Sequence, residues 1–180
     1  MGDGGRRGGV APEKLSEPAE AVRGTFEEHG LEPERLTSYG TLIAVFNAGF
    51  AGVLLAARAG GRELPRLGPG DLALFGVATH KLSRTLAKDK VTAALRAPFT
   101  EHAGEAGPAE VKERPRGTGL RRSIGELVGC PYCLDQWVAA GFVGGAIFAP
   151  RATRLVAGVF TTVALADFLQ IAYRAGQKQL

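Results

Sequence analysis

Apolar residues in this chain are gathered into long runs, separated by charged, glycine-rich and proline-rich blocks. Tyr39 to Ala57 contains no charged residue and approaches the roughly 20 residues that cross a bilayer. Leu134 to Ala149 forms a second run, closed by Pro150, and Leu155 to Tyr173 a third, interrupted only by Thr161, Thr162, Asp167 and Gln170. Between the first and second of these lies Asp71 to Leu86, where Leu72 to Thr79 is apolar but His80, Lys81, Ser83 and Arg84 follow at once. Lysine and arginine near a helix end can snorkel to the headgroups, so this segment reads as a short span with a polar end. Asp71 would be its N-cap. The pattern predicts an all-α integral membrane protein with about four transmembrane helices; the alternative is three spans plus a re-entrant or interfacial helix.

The small residues Ala44, Ala48, Ala51 and Gly52 recur at helical spacing in the first span, and Gly141, Gly144 and Gly145 punctuate the third. Small residues let membrane helices approach closely, and Asn47 is expected to face the bundle. The polar blocks set the domain limits. Residues 1–36 are rich in Gly, Glu and Pro, a composition that buries too little to order itself, and read as a disordered cytoplasmic tail with room for a short helix from Pro18 to Glu28. No apolar run follows Arg6-Arg7 at signal-peptide distance. The helical membrane domain covers 37–175, with a cytoplasmic loop at 88–129 and a polar tail at 176–180. Within the loop, Ala103 to Gly119 reads as flexible and Leu120 to Val128 as a short surface helix.

Charge gives the orientation. The 180 residues are 45% hydrophobic with a net charge of +4. For four spans, fifteen lysines and arginines fall on the side of the termini and the long loop, against Arg58, Arg62, Arg66, Arg151 and Arg154 on the other. The positive-inside rule then places both termini in the cytoplasm of a multi-pass inner-membrane protein. Anionic headgroups are the expected partner of the basic loop; Phe99 alone makes no stacking platform for nucleic acid.

Candidate chemistry centres on Cys130-Pro131-Tyr132-Cys133, which opens the third span. Cys130 is expected as an N-cap and Pro131 as the first helical residue, where amides and macrodipole stabilise a thiolate. Two cysteines can be packing residues, a redox pair, or half of a zinc site completed by outside ligands such as His80 or His102. Glu126, four residues before Cys130, is a candidate base or oxygen ligand, and otherwise a solvated carboxylate. His80, Ser83 and Arg84 share one helical face, with Asp167 as their natural partner, because an isolated intramembrane carboxylate is costly. No Gly-x-Ser-x-Gly, phosphate-loop or His-Glu-x-x-His signature occurs.

The chain resembles the DUF1360 family of small bacterial membrane proteins of unknown function, which includes a sporulation-associated member. The resemblance rests on Ala78-Thr-His-Lys-Leu-Ser-Arg84, Lys88-Asp89-Lys90-Val-Thr92, Arg96-Ala-Pro-Phe99, Gly125-Glu126-Leu127, the two cysteines with Trp137, Arg151-Ala-Thr-Arg154 and Asp167-Phe168. It implies a membrane location but no reaction, ligand or catalytic residue. A structural or assembly role in the cell membrane leads the functional readings. A thiol-redox protein or sensor using the cysteine pair, and a small transporter or channel using His80 and Asp167, are the alternatives. No cofactor is expected beyond zinc, and a homo-oligomer or a membrane partner protein could complete a site.

Overall fold

The computed structural model describes residues 33–107 and 109–178; the expected tail and the helix from Pro18 to Glu28 lie outside them, apart from the tail's last residues. Four long helices carry the fold: α1 (Pro33–Ala59), α2 (Pro69–Lys88), α5 (Pro131–Phe148) and α6 (Pro150–Gln177). Between α2 and α5 the chain forms a 3-10 turn (Lys90–Thr92), a single helical turn α3 (Ala93–Arg96), strands β1 (Thr100–Gly107) and β2 (Glu110–Pro115), and helix α4 (Gly119–Val128). Two helices, Glu34–Ala59 and Pro150–Gln177, are long and apolar enough to cross a membrane.

The fold is therefore mostly helical but not all-α. The strands pair antiparallel from Thr100↔Pro115 to Gly107↔Glu110, with two irregularities in register. They occupy the stretch expected to be a flexible loop. Alanine, glycine and glutamate have little strand preference of their own, and the hairpin is held by outside anchors instead. The Lys90 amide donates to the Ala109 carbonyl at 2.8 Å and the Arg116 amide to the Phe99 carbonyl at 2.8 Å. Arg84 grips Glu110 at 2.7 Å.

Helix α2 is central, packing on both α5 and α6. Phe75, Ala78, Phe142, Ala146 and Ala157 form the core, with the Phe75 and Phe142 rings stacked 5.6 Å apart. Its start is three residues earlier than expected: Gly68 is the N-cap, and Asp71, in the first turn, accepts the Gly68 amide at 3.3 Å. Helix α1 lies against α4 and α5. A Cβ at Gly144 would sit 3.3 Å from Val53, and one at Gly145 would strike Thr153 Oγ1 at 2.7 Å, so these glycines set the approach of α1 and α6 to α5. Ala44, Ala48, Ala51 and Gly52, by contrast, face outward. Asn47 is exposed at the edge of a groove between α1 and α5, its amide donating to its own helix at Ile43.

The two ends of the molecule differ. At one, Arg62 lies 5.5 Å over the Phe148 ring and Arg154 pairs with Asp71 at 2.9 Å. At the other, Arg35 pairs with Glu126 at 2.6 Å and Lys88 donates to the Gly129 carbonyl at 2.6 Å. All four long helices run between these two ends, and the segment 89–130 forms a polar cap on the second.

Candidate functional site

The cap is built around Arg96, which is 2% exposed. Its guanidinium donates to Glu113 at 2.5 Å, to Thr92 Oγ1 at 2.7 Å, and to the carbonyls of Leu86 at 2.6 Å and Asp89 at 3.1 Å. One planar fork thus caps the open carbonyls of α2, fixes the turn after it and ties down β2. Asp89 contributes its backbone, as the C-cap of α2 and a bridge partner of Glu110. Lys90 pairs with Glu105 at 2.5 Å, and its ammonium beside Glu105 holds that carboxyl below the usual range.

Helix α4 lies across the cap with Gly125 against the Phe99 carbonyl and Pro115, where a Cβ would collide. This contact turns Glu126 towards α1. Its carboxylate accepts hydrogen bonds from Arg35 at 2.6 Å, Arg122 at 3.2 Å and the Tyr39 hydroxyl. Burial works against the charge, but the bonds from Tyr39, Arg35 and Arg122 outweigh it and hold the Glu126 carboxyl below its ordinary range. Three donors engage Glu126, and through Arg35 and Tyr39 it ties the cap to α1.

Immediately after α4, Cys130 is the N-cap of α5 and Pro131 its first residue, as the sequence predicted. The Cys133 amide donates to the Cys130 carbonyl at 3.1 Å and to its sulfur at 3.3 Å. Cys130 and Cys133 form a disulfide, with Cα atoms 5.3 Å apart; they are not a pair of free thiols. Cys130 is half-buried and Cys133 exposed. Cys133 lines a groove of about 370 Å³ between α1, α4 and α5, with Leu42, Ile43, Phe46 and Trp137 as its apolar wall and Ser123, Glu126, Gln136 and Asn47 as polar lining. Trp137 meets Phe46 edge-to-face at 5.2 Å.

The second candidate cluster is rearranged. Asp167 pairs with Lys81 at 2.8 Å, not with His80 or Arg84. Arg84 is recruited by Glu110 of the hairpin. His80 is exposed and lines a pocket of about 250 Å³ with Lys81, Arg84, Asp167 and Phe168. Ser83 is fully buried, and its hydroxyl and that of Thr79 have no partner among the described residues. His102 lies on β1, and His80 lines a different pocket from the cysteines. Among the described residues no three His, Cys, Asp or Glu side chains gather closely enough to hold a metal ion.

Sequence reasoning passed over Arg35, Tyr39, Lys81, Glu110, Glu113 and Asp135. The spacing of Arg35 and Tyr39, one helical turn apart, was a usable signal. Glu110 and Glu113 lie in a segment whose strands had no signature. Asp135 keeps one buried carboxylate oxygen without a partner among the described residues.

A family model described as "Protein of unknown function (DUF1360)" matches residues 74–173. The chain is also similar to the sporulation protein YjcA of Bacillus subtilis (strain 168), 29% identical over 102 residues that cover 55% of this chain and 86% of that protein. No solved structure matches. The matched span runs from the second turn of α2 through the Arg96 cap, the disulfide and the Lys81–Asp167 pair, and on this match the chain belongs to the DUF1360 family.

Proposed function

We propose that the protein is a four-span membrane protein of the bacterial inner membrane with a structural or assembly role, presenting an ordered polar cap at the cytoplasmic face. The observation that carries this reading is the apolar surface of α1 and α6, whose large side chains point outward around a core of alanines and the stacked Phe75 and Phe142 rings. The interior holds Ala57, Ala78, Ala146, Ala157 and Ala164, while Ile43, Leu55, Leu155, Leu169 and Ile171 are each more than 60% exposed. Water penalises that arrangement; lipid tails do not, and membrane helices associate through small residues. The polar half of α2 is accounted for by its neighbours, because Arg84 and Lys88 bond to the cap and so lie at headgroup depth.

Both termini and the cap carry most of the lysines and arginines, which favours a cytoplasmic location. The cap's basic residues, among them Arg114, Arg116 and Arg121, face anionic headgroups or a membrane partner protein. The sporulation role named for the Bacillus relative is a process this assembly reading accommodates. The test combines alkaline carbonate extraction with labelling of single cysteines by a membrane-impermeant maleimide, in a C130S/C133S background. Arg62→Cys should label in intact cells and Thr118→Cys only after lysis. Release by carbonate, or labelling of both positions from the same side, would refute the reading.

The disulfide favours a second reading, a thiol-redox protein or sensor. A loop of four residues is near the low end of what a disulfide stabilises, about 2 kcal/mol in the chain-entropy description against nearly 5 for a loop of about 100 residues. Structural disulfides are also rare in the cytoplasm. A short, half-exposed pair on that face suits electron exchange better than stapling. The C130S/C133S protein separates the two: a purely structural pair predicts reduced abundance and no redox couple to lose.

A further inference from the structure

We propose that the groove beside Cys133 binds the head group of a membrane quinone, which exchanges two electrons with the Cys130–Cys133 pair. The inference rests on the thiol-redox reading and extends it to an oxidant and a site. A dithiol facing a reducing compartment closes only if something takes its electrons. The position of the groove narrows what that acceptor is. Its wall is Leu42, Ile43 and Phe46 of α1 and Trp137 of α5, and the α1 residues belong to a helix apolar enough to cross a membrane. An occupant therefore arrives from the lipid phase. Polar groups line part of the same cavity, and so does the exposed sulfur-bearing residue Cys133.

A volume of about 370 Å³ lies in the range of small-molecule sites, which are mostly apolar with a few placed polar groups. Hydrogen-bond donors for a carbonyl oxygen are present. Asn47 spends one of its two amide hydrogens on the Ile43 carbonyl and keeps the other, and Gln136 offers a second amide. The negative charge of Glu126 is offset by the Arg35 and Arg122 guanidiniums and the Tyr39 hydroxyl that bond to it. A flat, conjugated, lipid-soluble two-electron acceptor with oxygens at its polar end meets these requirements. A glutathione-like peptide, charged at several points, does not suit the Leu42-Ile43-Phe46 wall.

The chemistry balances on both half-reactions. In the first, the dithiol passes two electrons to the quinone: the sulfur–sulfur bond forms, and the two thiol protons end on the quinone oxygens to give a quinol. In the second, a dithiol on the aqueous side supplies the electrons. Its thiolate attacks the exposed Cys133 sulfur and Cys130 departs as a thiolate, stabilised at the N-terminus of α5. The donor's other thiolate then attacks its own mixed-disulfide sulfur and releases Cys133 as a thiolate, leaving the donor as a disulfide and the pair reduced.

Trp137 is the only tryptophan in the chain, so its emission reports on the groove alone. The experiment uses the full chain in nanodiscs, reduced, freed of reductant under anaerobic conditions, and titrated with decylubiquinone, whose fully substituted ring has no open position for thiol addition. Expected are saturable quenching of Trp137 at one quinone per chain, loss of two thiols, and formation of one quinol per chain. Half-saturation of the oxidation rate should match the quenching midpoint. Cys133→Ser should quench normally and yield no quinol; Asn47→Phe, which fills the groove, should weaken quenching and slow oxidation at least 10-fold. Saturable binding that leaves both thiols reduced would overturn the proposal and make the groove a lipid site. Oxidation that is not saturable, or equally fast in detergent-unfolded protein, would overturn it too, even if Asn47→Phe fails to fold. If a glutathione redox buffer cycles the pair and the quinone does not, the redox reading stands and the quinone site falls.

Discussion

The helical body and the polar cap of this protein are packed by opposite rules. In the body, α1 and α6 turn large apolar side chains outward, Val45 and Leu165 being more than half exposed, while alanines such as Ala78 and Ala157 are fully buried around the stacked Phe75 and Phe142 rings. In the cap the buried centre is a charge, Arg96, with its acceptors arranged around it. In the membrane proposed above for the body, lipid offers no reward for hiding leucine, and the helices are held by close approach at glycine and alanine and by a few pairs such as Lys81–Asp167. The cap has too few large apolar residues to make a core, so directional hydrogen bonds donated by every nitrogen of the buried Arg96 guanidinium replace one.

The largest expected effect strikes the cap. Arg96→Ala leaves Glu113 and the end of α2 buried without partners, and removing one member of a buried pair costs about 3–5 kcal/mol. Trypsin should then cut between Lys88 and Arg116 under conditions that leave the helices intact. Arg96→Lys should recover only part of the protection, since an ammonium cannot reproduce the fork. Simultaneous loss of cap and body would mean that the two are one cooperative unit.

A somewhat smaller effect tests the body's solvent. Val45→Asp places a carboxylate on an outward face of α1. At the surface of a protein in water such a change stays within about 0.5 kcal/mol, whereas near the middle of a bilayer it costs about 2.5–3.5 kcal/mol. A fall in carbonate-resistant protein is expected; unchanged abundance and folding would mean that α1 faces water.

The smallest effect lies at the seam. Glu126 has a folded-state pKa below the ordinary glutamate value of about 4.3. Its contribution is therefore complete at neutral pH. It declines as the pH drops below that ordinary value and is gone once the pH is below the folded one. Docking of α4 on α1, followed by Trp137 emission or by protection of Arg35 from trypsin, should weaken on acidification in that window. Glu126→Gln should flatten the dependence. A pH response that survives this substitution would assign the titration to another group.

What could be read from the chain itself was whatever depends on neighbours in sequence. The uninterrupted apolar stretch of α1, the N-cap at Cys130 followed by Pro131, the break at Pro150 and the short helix α4 are all local, because helix signals act within one or two turns. The β hairpin was hidden, since residues such as Ala103, Gly104 and Ala106 carry no strand preference and become a strand only where Arg84, Lys90 and Arg96 hold the turn and its partner. Tertiary structure likewise decided that Asp167 pairs with Lys81 and not His80, that Glu126 is engaged by Arg35 and Tyr39 from far away in the chain, and that Cys133 opens onto a groove. Those outcomes depend on which faces of separate helices meet. The choice among competing partners is set by packing at Gly144 and Gly145 and by the buried guanidinium of Arg96, and no local pattern encodes that choice.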